Sequence, residues 1–385
     1  MSRNRVIYQS EGLYTSSGIG STSESEHKQL RRVQSANYSF EIARQDVNQF
    51  GQLGRIEALV LQSPTVSLDL DYYLADGFNE SALGFYVQGN GTTNPTGFGG
   101  FASGQMSNAS GKNFYIVTTT EGVDLNFETA ANSLSGKNVI GIGNGFITNY
   151  SVDASVGNFP TVSVSVEGLG FNVNTYSGTT VLGTGIPTPA ISPVSGTRLL
   201  SNSVGNLVKL PLPTSGSGVT ALRPGDITLS FGLFGTDTSG AIPASNVDNT
   251  SVDSINIQSV NLSLPMSRSP IERLGSRFAF ARVVDFPITA TMTVNAIVNE
   301  QQARNLVDMV DDNKDRDITL TINQPGTSTA AVVYTFKGAR LDSEGYSSDI
   351  GSNKSVDLSF STQIGGPNDT LRGIFFSGSS AKAFS

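Results

Sequence analysis

Apolar and polar side chains alternate with a period of two along most of this chain. Val66, Leu68 and Leu70 share one side of a stretch whose other side is Ser67, Asp69 and Asp71. Val162, Val164 and Val166 alternate with polar neighbours, and so do the apolar residues between Thr289, Thr291 and Thr293. Tyr38, Phe40 and Ile42 share a face in the same way. Such alternation predicts half-buried strands, one face on a core and one toward water. Two segments break it. NEQQARNLVDMVDDN, 299–313, puts Ala303, Leu306, Val307 and Val310 on one helical stripe, with Asn299 as N-cap and Gln302 completing a capping box. FNESALGFYV, 78–87, predicts a shorter helix opened by Asn79.

The pattern also repeats. VQSANYSFEIARQDVNQFG at 33–51 and IQSVNLSLPMSRSPIERLG at 257–275 lie 224 positions apart. They share Gln34/Gln258, Ser35/Ser259, Asn37/Asn261, Ser39/Ser263, Arg44/Arg268 and Gly51/Gly275. Apolar slots correspond as well, among them Val33/Ile257, Tyr38/Leu262, Phe40/Leu264, Val47/Ile271 and Phe50/Leu274. Toward the end of each copy the spacing is 194, carried by Val139/Val333, Gly157/Gly351, Val162/Val356 and Ser165/Ser359. The chain therefore reads as two copies of one unit, with about 30 extra residues in the first, most of them in a Gly-rich loop at 88–112.

This divides the chain into an N-terminal arm (1–32), copy 1 (33–172), a linker with an inserted β-rich segment (173–253), and copy 2 with a C-terminal tail (254–385). The arm is either a flexible terminus or a strap on a neighbouring subunit. The middle holds a Pro/Gly/Ser linker, GIPTPAISPVSG, and two strand-like runs, SNSVGNLVKLPLP and PGDITLSFGLF. It reads as an inserted decoration or as a long connection that partly joins the sheets.

Composition narrows the function. Charged residues make up 15% of the chain and the net charge is −8, which argues against a nucleic-acid wrapping surface. There is no Cys and a single His, His27, so thiolate chemistry, His-based triads and multi-His metal sites are excluded. No apolar run is long enough for a signal peptide or a membrane span, and no membrane association is expected. Residues 33–172 hold four Lys/Arg against twelve Asp/Glu, whereas 254–366 hold ten against twelve, so the copies differ in electrostatics.

Candidate chemistry is sparse. Asp311, Asn313 and Asp315 take calcium-loop spacing, but Arg316 and Ile322 stand where that loop needs Gly and Glu, so a solvated helix exit is expected. Asp69 and Asp71 share a strand face without a partner acid, base or metal, and read as a polar face. GNGTTNPTGFGG lacks the Lys-Ser/Thr ending of a phosphate loop, and the glycines of GIGNGF read as backbone geometry in a strand hairpin. His27 is expected to be solvated. Arg44 and Arg268, at equivalent places, read as structural or inter-subunit charge partners. No catalytic, cofactor-binding or metal-binding residue is assigned, and no cofactor is expected.

The order of elements in each copy is an opening polar-alternating strand, two long strands, a helix, a strand, and a Gly-punctuated closing hairpin ending in TVSVSVE or SVDLSFS. This resembles the tail tube fold of bacteriophages and related contractile injection systems. The opening MSRNRVIYQSEGLY and RVQSANYSFEIARQDVNQFGQLGRI are also similar to the start of phage major tail proteins. The resemblance implies a mainly β protein of two tandem tail-tube-like sandwich or barrel units, each with one helix. It implies a virion protein, assembled in the host cytoplasm, whose rings stack around a DNA channel without specific DNA binding. Two fused units per chain imply a homotrimer with pseudo-sixfold symmetry. Sheath or terminator and baseplate or tip proteins would be its other partners. Another virion β-protein (head decoration, tail terminator or fibre component) is the alternative, and a monomeric adhesin a third.

Overall fold

The computed structural model describes residues 11–18, 23–60, 63–87, 100–106, 108, 111–121, 123–125, 134, 136–176, 185–192, 207–212, 222–233, 256–275, 278–297, 315–348, 353–366 and 369–377. The fold is mainly β. Its principal strands are β1 (Glu11–Ser17), β2 (Val33–Glu41), β3 (Gln45–Val47), β4 (Glu57–Leu59), β5 (Thr65–Tyr73), β6 (Lys112–Thr118), β7 (Asn138–Ser155), β8 (Thr161–Gly168) and β9 (Gly170–Thr175). They continue as β10 (Ile227–Leu233), β11 (Asn256–Pro265), β12 (Arg268–Ile271), β13 (Ala281–Val284), β14 (Thr289–Ile297), β15 (Arg316–Asn323), β16 (Ala330–Ser347), β17 (Ser355–Gln363) and β18 (Gly373–Ser377). Two short helices are α1 (Phe78–Leu83) and α2 (Ser103–Met106). The stronger of the two expected helices, 299–313, and most of the 88–112 loop lie outside the described residues.

Strand n of the first nine is the counterpart of strand n+9, and the pairing proves it residue by residue. Asn37 pairs with Asp69 and Asn261 with Thr293, both 224 apart. The β-bulge at Val33/Ser35 recurs at Ile257/Ser259. The bulge at Ile147/Asn149 recurs at Leu341/Ser343, 194 apart, and that at Lys112/Phe114 recurs at Arg316/Ile318, 204 apart. A bulge fixes local twist and resets which face later side chains take. Its recurrence means that both copies bend at the same places. The spacing falls by 20 between β5 and β6 and by 10 between β6 and β7, so the larger insertion in copy 1 spans the Gly-rich loop. Leu13 pairs with Ile116 and Leu229 with Leu320, which makes β10, inside the 173–253 stretch, the counterpart of β1.

Each copy is a two-layer sandwich. One layer is β1-β6-β7-β9, or β10-β15-β16-β18. The other layers fuse into one eight-stranded sheet, β2-β5-β8-β7-β11-β14-β17-β16. The 18-residue strands β7 and β16 serve both layers, pairing with one sheet through their first half and with the other through their second. Sequence alternation around GIGNGF suggested two strands here; the structure has one. Asn144 adopts a left-handed φ of 52° and bends the strand without breaking it. Gly143 lets Pro189 lie against the strand, since a Cβ there would stand 2.3 Å from the Pro189 carbonyl oxygen.

A continuous apolar core runs through both copies. Phe85, Phe101, Tyr150, Tyr334 and Phe376 stack at its centre, with Phe85 and Phe101 centroids 4.3 Å apart. Glu80 of α1 sits in this core and accepts hydrogen bonds from the Tyr72 hydroxyl (2.9 Å) and the Tyr150 hydroxyl (3.3 Å); Tyr150 and Tyr334 hydroxyls meet at 2.7 Å. Asn79 does not cap α1, whose N-cap is Gly77. Its amide instead clamps the Arg31 backbone, accepting from Arg31 N at 2.8 Å and donating to Arg31 O at 2.7 Å.

Candidate functional site

The eight-stranded sheet has one face in the core and one toward solvent. The solvent face holds Ser35, Asn37 and Ser39 of β2, Ser67, Asp69 and Asp71 of β5, and Thr161, Ser163 and Ser165 of β8. Beyond their bulges, β7 adds Asn149, Ser151 and Asp153, and β16 adds Ser343, Gly345 and Ser347. The middle strands add Ser259, Asn261 and Ser263, Thr291, Thr293 and Asn295, and Asp357, Ser359 and Ser361. These positions are small, polar and neutral or acidic; at the end of β16, Arg340 lies opposite Ser361 and adds a cation ion-paired with Asp315. Asp69 and Asp71 therefore take the polar-face role expected for them, with Ser35 donating to Asp71 at 2.6 Å.

The junction between the copies is a strand pair. The last half of β7 pairs antiparallel with β11, Asn149 opposite Pro265, Tyr150 opposite Leu264, Val152 opposite Leu262 and Asp153 opposite Asn261. At the two ends of the eight-stranded sheet, β2 and the last half of β16 each pair on one side only among the described residues. These strands are the counterparts of β11 and β7. The same positions thus appear once joined and once open. Leu262, Leu264 and Val152 are 0%, 0% and 1% exposed, whereas their counterparts Tyr38, Phe40 and Tyr346 are 43%, 41% and 44% exposed. An open edge with apolar side chains is a surface built for another strand.

The paired arginines diverge for the same reason. Arg268 is buried at the junction, its Nη2 donating to Gln105 O (2.6 Å) and its Nη1 to Arg282 O (3.3 Å), with the guanidinium 4.8 Å from the Phe146 ring centroid. Burial, with Arg282 adding to it, pulls its pKa down to about 10. Arg282 in turn pairs with Glu167 at 2.8 Å. Arg44 is exposed. The two arginines share a position but only Arg268 has a neighbouring copy to dock on.

His27 is buried, not solvated. Its Nδ1 lies 2.7 Å from Ser23 O, its ring meets Tyr115 edge-on, and loss of water lowers its pKa. Asp315, of the acidic run, makes ion pairs with Arg340 and Arg372, and Asp317 accepts from Gly338 N at 3.1 Å. Asp311 and Asn313 lie outside the described residues. Among the described residues no helix is long and apolar enough to cross a membrane.

The sequence singled out the repeated Gln, Ser, Asn and Arg but gave no reason to connect Tyr38 or Phe40 with Tyr346. Their exposure against buried counterparts is a tertiary property. The signal available in sequence was the correspondence Tyr38/Leu262 and Phe40/Leu264, once it is known that a strand of the other copy covers the latter pair.

No protein-family model matches the chain, and no curated protein sequence does. Among solved structures the chain is similar to the SPP1 tail tube, determined by solid-state NMR and cryo-EM, at 8% identity over 42% of this chain and 81% of that one, with a TM-score of 0.29. It is also similar to a type VI secretion system effector from Yersinia pestis, at 8% identity over 39% of this chain and 96% of that one, with a TM-score of 0.20.

Proposed function

We propose that this chain is a virion structural subunit in which three copies close into a ring, and that stacked rings form a phage tail tube through which DNA passes. The observation that carries the reading is the β7–β11 junction, a strand pair whose two partners recur as open edges. Applying the two spacings to the junction register pairs β16 of one chain with β2 of the next. Ser343 then lies opposite Glu41, Glu344 opposite Phe40, Gly345 opposite Ser39, Tyr346 opposite Tyr38, and Ser347 opposite Asn37.

The contact is heterologous, and on this reading its rotation closes after three chains. Three chains supply six units and, with eight strands each, twenty-four strands. A barrel of that many strands, spaced about 4.8 Å and tilted about 40°, is about 48 Å across between backbones. Closure removes both open edges. The solvent face of the sheet becomes the lumen, and its Ser, Thr, Asn and Asp side chains repel or ignore a phosphate backbone. Arg44 of the incoming chain would lie beside the recess lined by Asp315, Asp342, Arg340 and Arg372, with Arg340 at the position that corresponds to Phe146. The reading assigns the chain no catalysis. Sheath or terminator and baseplate or tip proteins are the expected partners of the finished tube.

The test is particle mass and shape. Purified chain should give particles of three chains and tubes in negative-stain images, and Tyr38→Lys/Phe40→Lys should stay a folded single chain. A wild-type chain that remains monomeric at every salt concentration and binds capsids or glycans instead would sink the reading.

A further inference from the structure

The ring reading leaves unused the most exposed large apolar groups among the described residues, and they too come in equivalent sets. The hairpins β3–β4 and β12–β13 project beyond the end of the eight-stranded sheet, past Glu41 and Thr65 in copy 1. Each displays four apolar side chains at matching positions: Val47, Phe50, Ile56 and Leu59 in one, Ile271, Leu274, Phe280 and Val283 in the other. At the tips, Phe50, Leu53 and Leu274 are as exposed as in an unfolded chain, at 106%, 110% and 103%. Gly51 and Gly275 hold the same left-handed turn there, with φ of 86° and 85°. An apolar side chain held at full exposure twice in one molecule, on a turn that only Gly adopts without strain, marks a contact surface.

The opposite end of the sheet has two clefts at equivalent places, each with an apolar floor. One, of about 210 Å³, is lined by Ile227, Leu229, Ile257 and Val260, with Ala154 and Val156 on its far side. The other, of about 190 Å³, has Leu13, Val33 and Ala36, the counterparts of Leu229, Ile257 and Val260, together with Leu30 and Ile116, and its mouth also carries Glu11, Gln29, Arg32 and Gln34. Both are open mouths between the two layers of a sandwich. A cavity of about 150 Å³ takes a benzene-sized group, so each mouth has room for one apolar side chain.

We propose that the two hairpin tips of one ring plug the two sandwich mouths of the next, so that Phe50, Leu53 and Leu274 join rings head to tail. The inference rests on the ring reading and deepens it by naming the axial partner, a second copy of this chain. Tips and mouths match in number and in sixfold spacing around the ring, the apolar tips meet apolar floors, and the two lie at opposite ends of the sheet. Such a contact does not close, so it propagates.

The experiment compares the full wild-type chain with Phe50→Ser/Leu53→Ser/Leu274→Ser by negative-stain microscopy and sedimentation. The triple variant should form rings of three chains and no tubes; on the unassembled Tyr38→Lys/Phe40→Lys background the same three changes should leave the unfolding transition unchanged, because the tips are fully exposed in the single chain. Tubes of wild-type length from the triple variant would overturn the inference and leave the ring reading standing. A wild-type chain with neither rings nor tubes would overturn both. The cysteine-free sequence permits a second measurement. Leu53→Cys/Gln34→Cys should give a disulfide-linked ladder beyond three chains on oxidation. Within one chain Gln34 lies near the start of β2 and Leu53 on the hairpin past its end, with about 23 Å of strand between, and they cannot bridge. Normal tubes that yield no ladder would overturn the proposal.

Discussion

Glu80→Gln isolates the energetic cost of a carboxyl buried in the shared core. Glu80 is 1% exposed and lies among Tyr72 and Tyr150 of copy 1, whose hydroxyls donate to it, with Tyr334 of copy 2 bonded to Tyr150. Loss of water outweighs those donated hydrogen bonds and pushes its pKa from 4.5 up to about 7. Between those values the folded chain keeps a proton that the unfolded chain has released. Stability therefore falls as pH rises through this window and levels off above it. The shift is worth about 3 kcal/mol. Gln keeps an acceptor for the tyrosines and carries no charge, so its variant lacks this fall. Urea unfolding from pH 5 to 8.5 should be run on the Tyr38→Lys/Phe40→Lys background, because assembly adds stability of its own. The wild-type core should lose about 2.5 kcal/mol more than the Glu80→Gln core across that range, the remainder having been lost below pH 5. Any constant offset from the new amide cancels in this comparison. Parallel curves for the two proteins would refute the reasoning.

Two further outcomes are expected. Tyr38→Cys/Tyr346→Cys should oxidise to covalent closed trimers, seen as a three-chain band that each single variant lacks; a band limited to two chains would argue for a closed dimer. Asp69→Lys/Asp153→Lys, both on the exposed polar face, should still form tubes but retain double-stranded DNA on a filter, with retention falling steeply as salt rises. Tubes of that variant that bind no more DNA than wild type would remove the polar face from the lumen.

Much of the inner sheet was legible in the sequence because its physics is local. Alternation placed Val66, Leu68 and Leu70 inward, and the 224 and 194 spacings carried the register of every strand of that sheet. The identity Gly51/Gly275 has a direct cause in the left-handed turn that both hairpins share. What stayed hidden depends on contacts distant in sequence. Glu11–Ser17 and Ile227–Leu233 have almost no residues in common, and each pairs with a strand about 100 positions on. His27 sits in a polar stretch, yet the packing of Tyr115 against it removes it from water. Arg44 and Arg268 could not be told apart, because the difference lies in whether a second copy is beside them. The same holds for Tyr38 and Leu262.

Helical cryo-EM reconstruction of the assembled protein tests the central claim most directly. The expected map has three chains per ring, a closed barrel of twenty-four strands, and β16 of each chain hydrogen-bonded to β2 of the next with Tyr346 opposite Tyr38. A map in which β2 and β16 face solvent, or in which the polar sheet face lies on the outside, would contradict it.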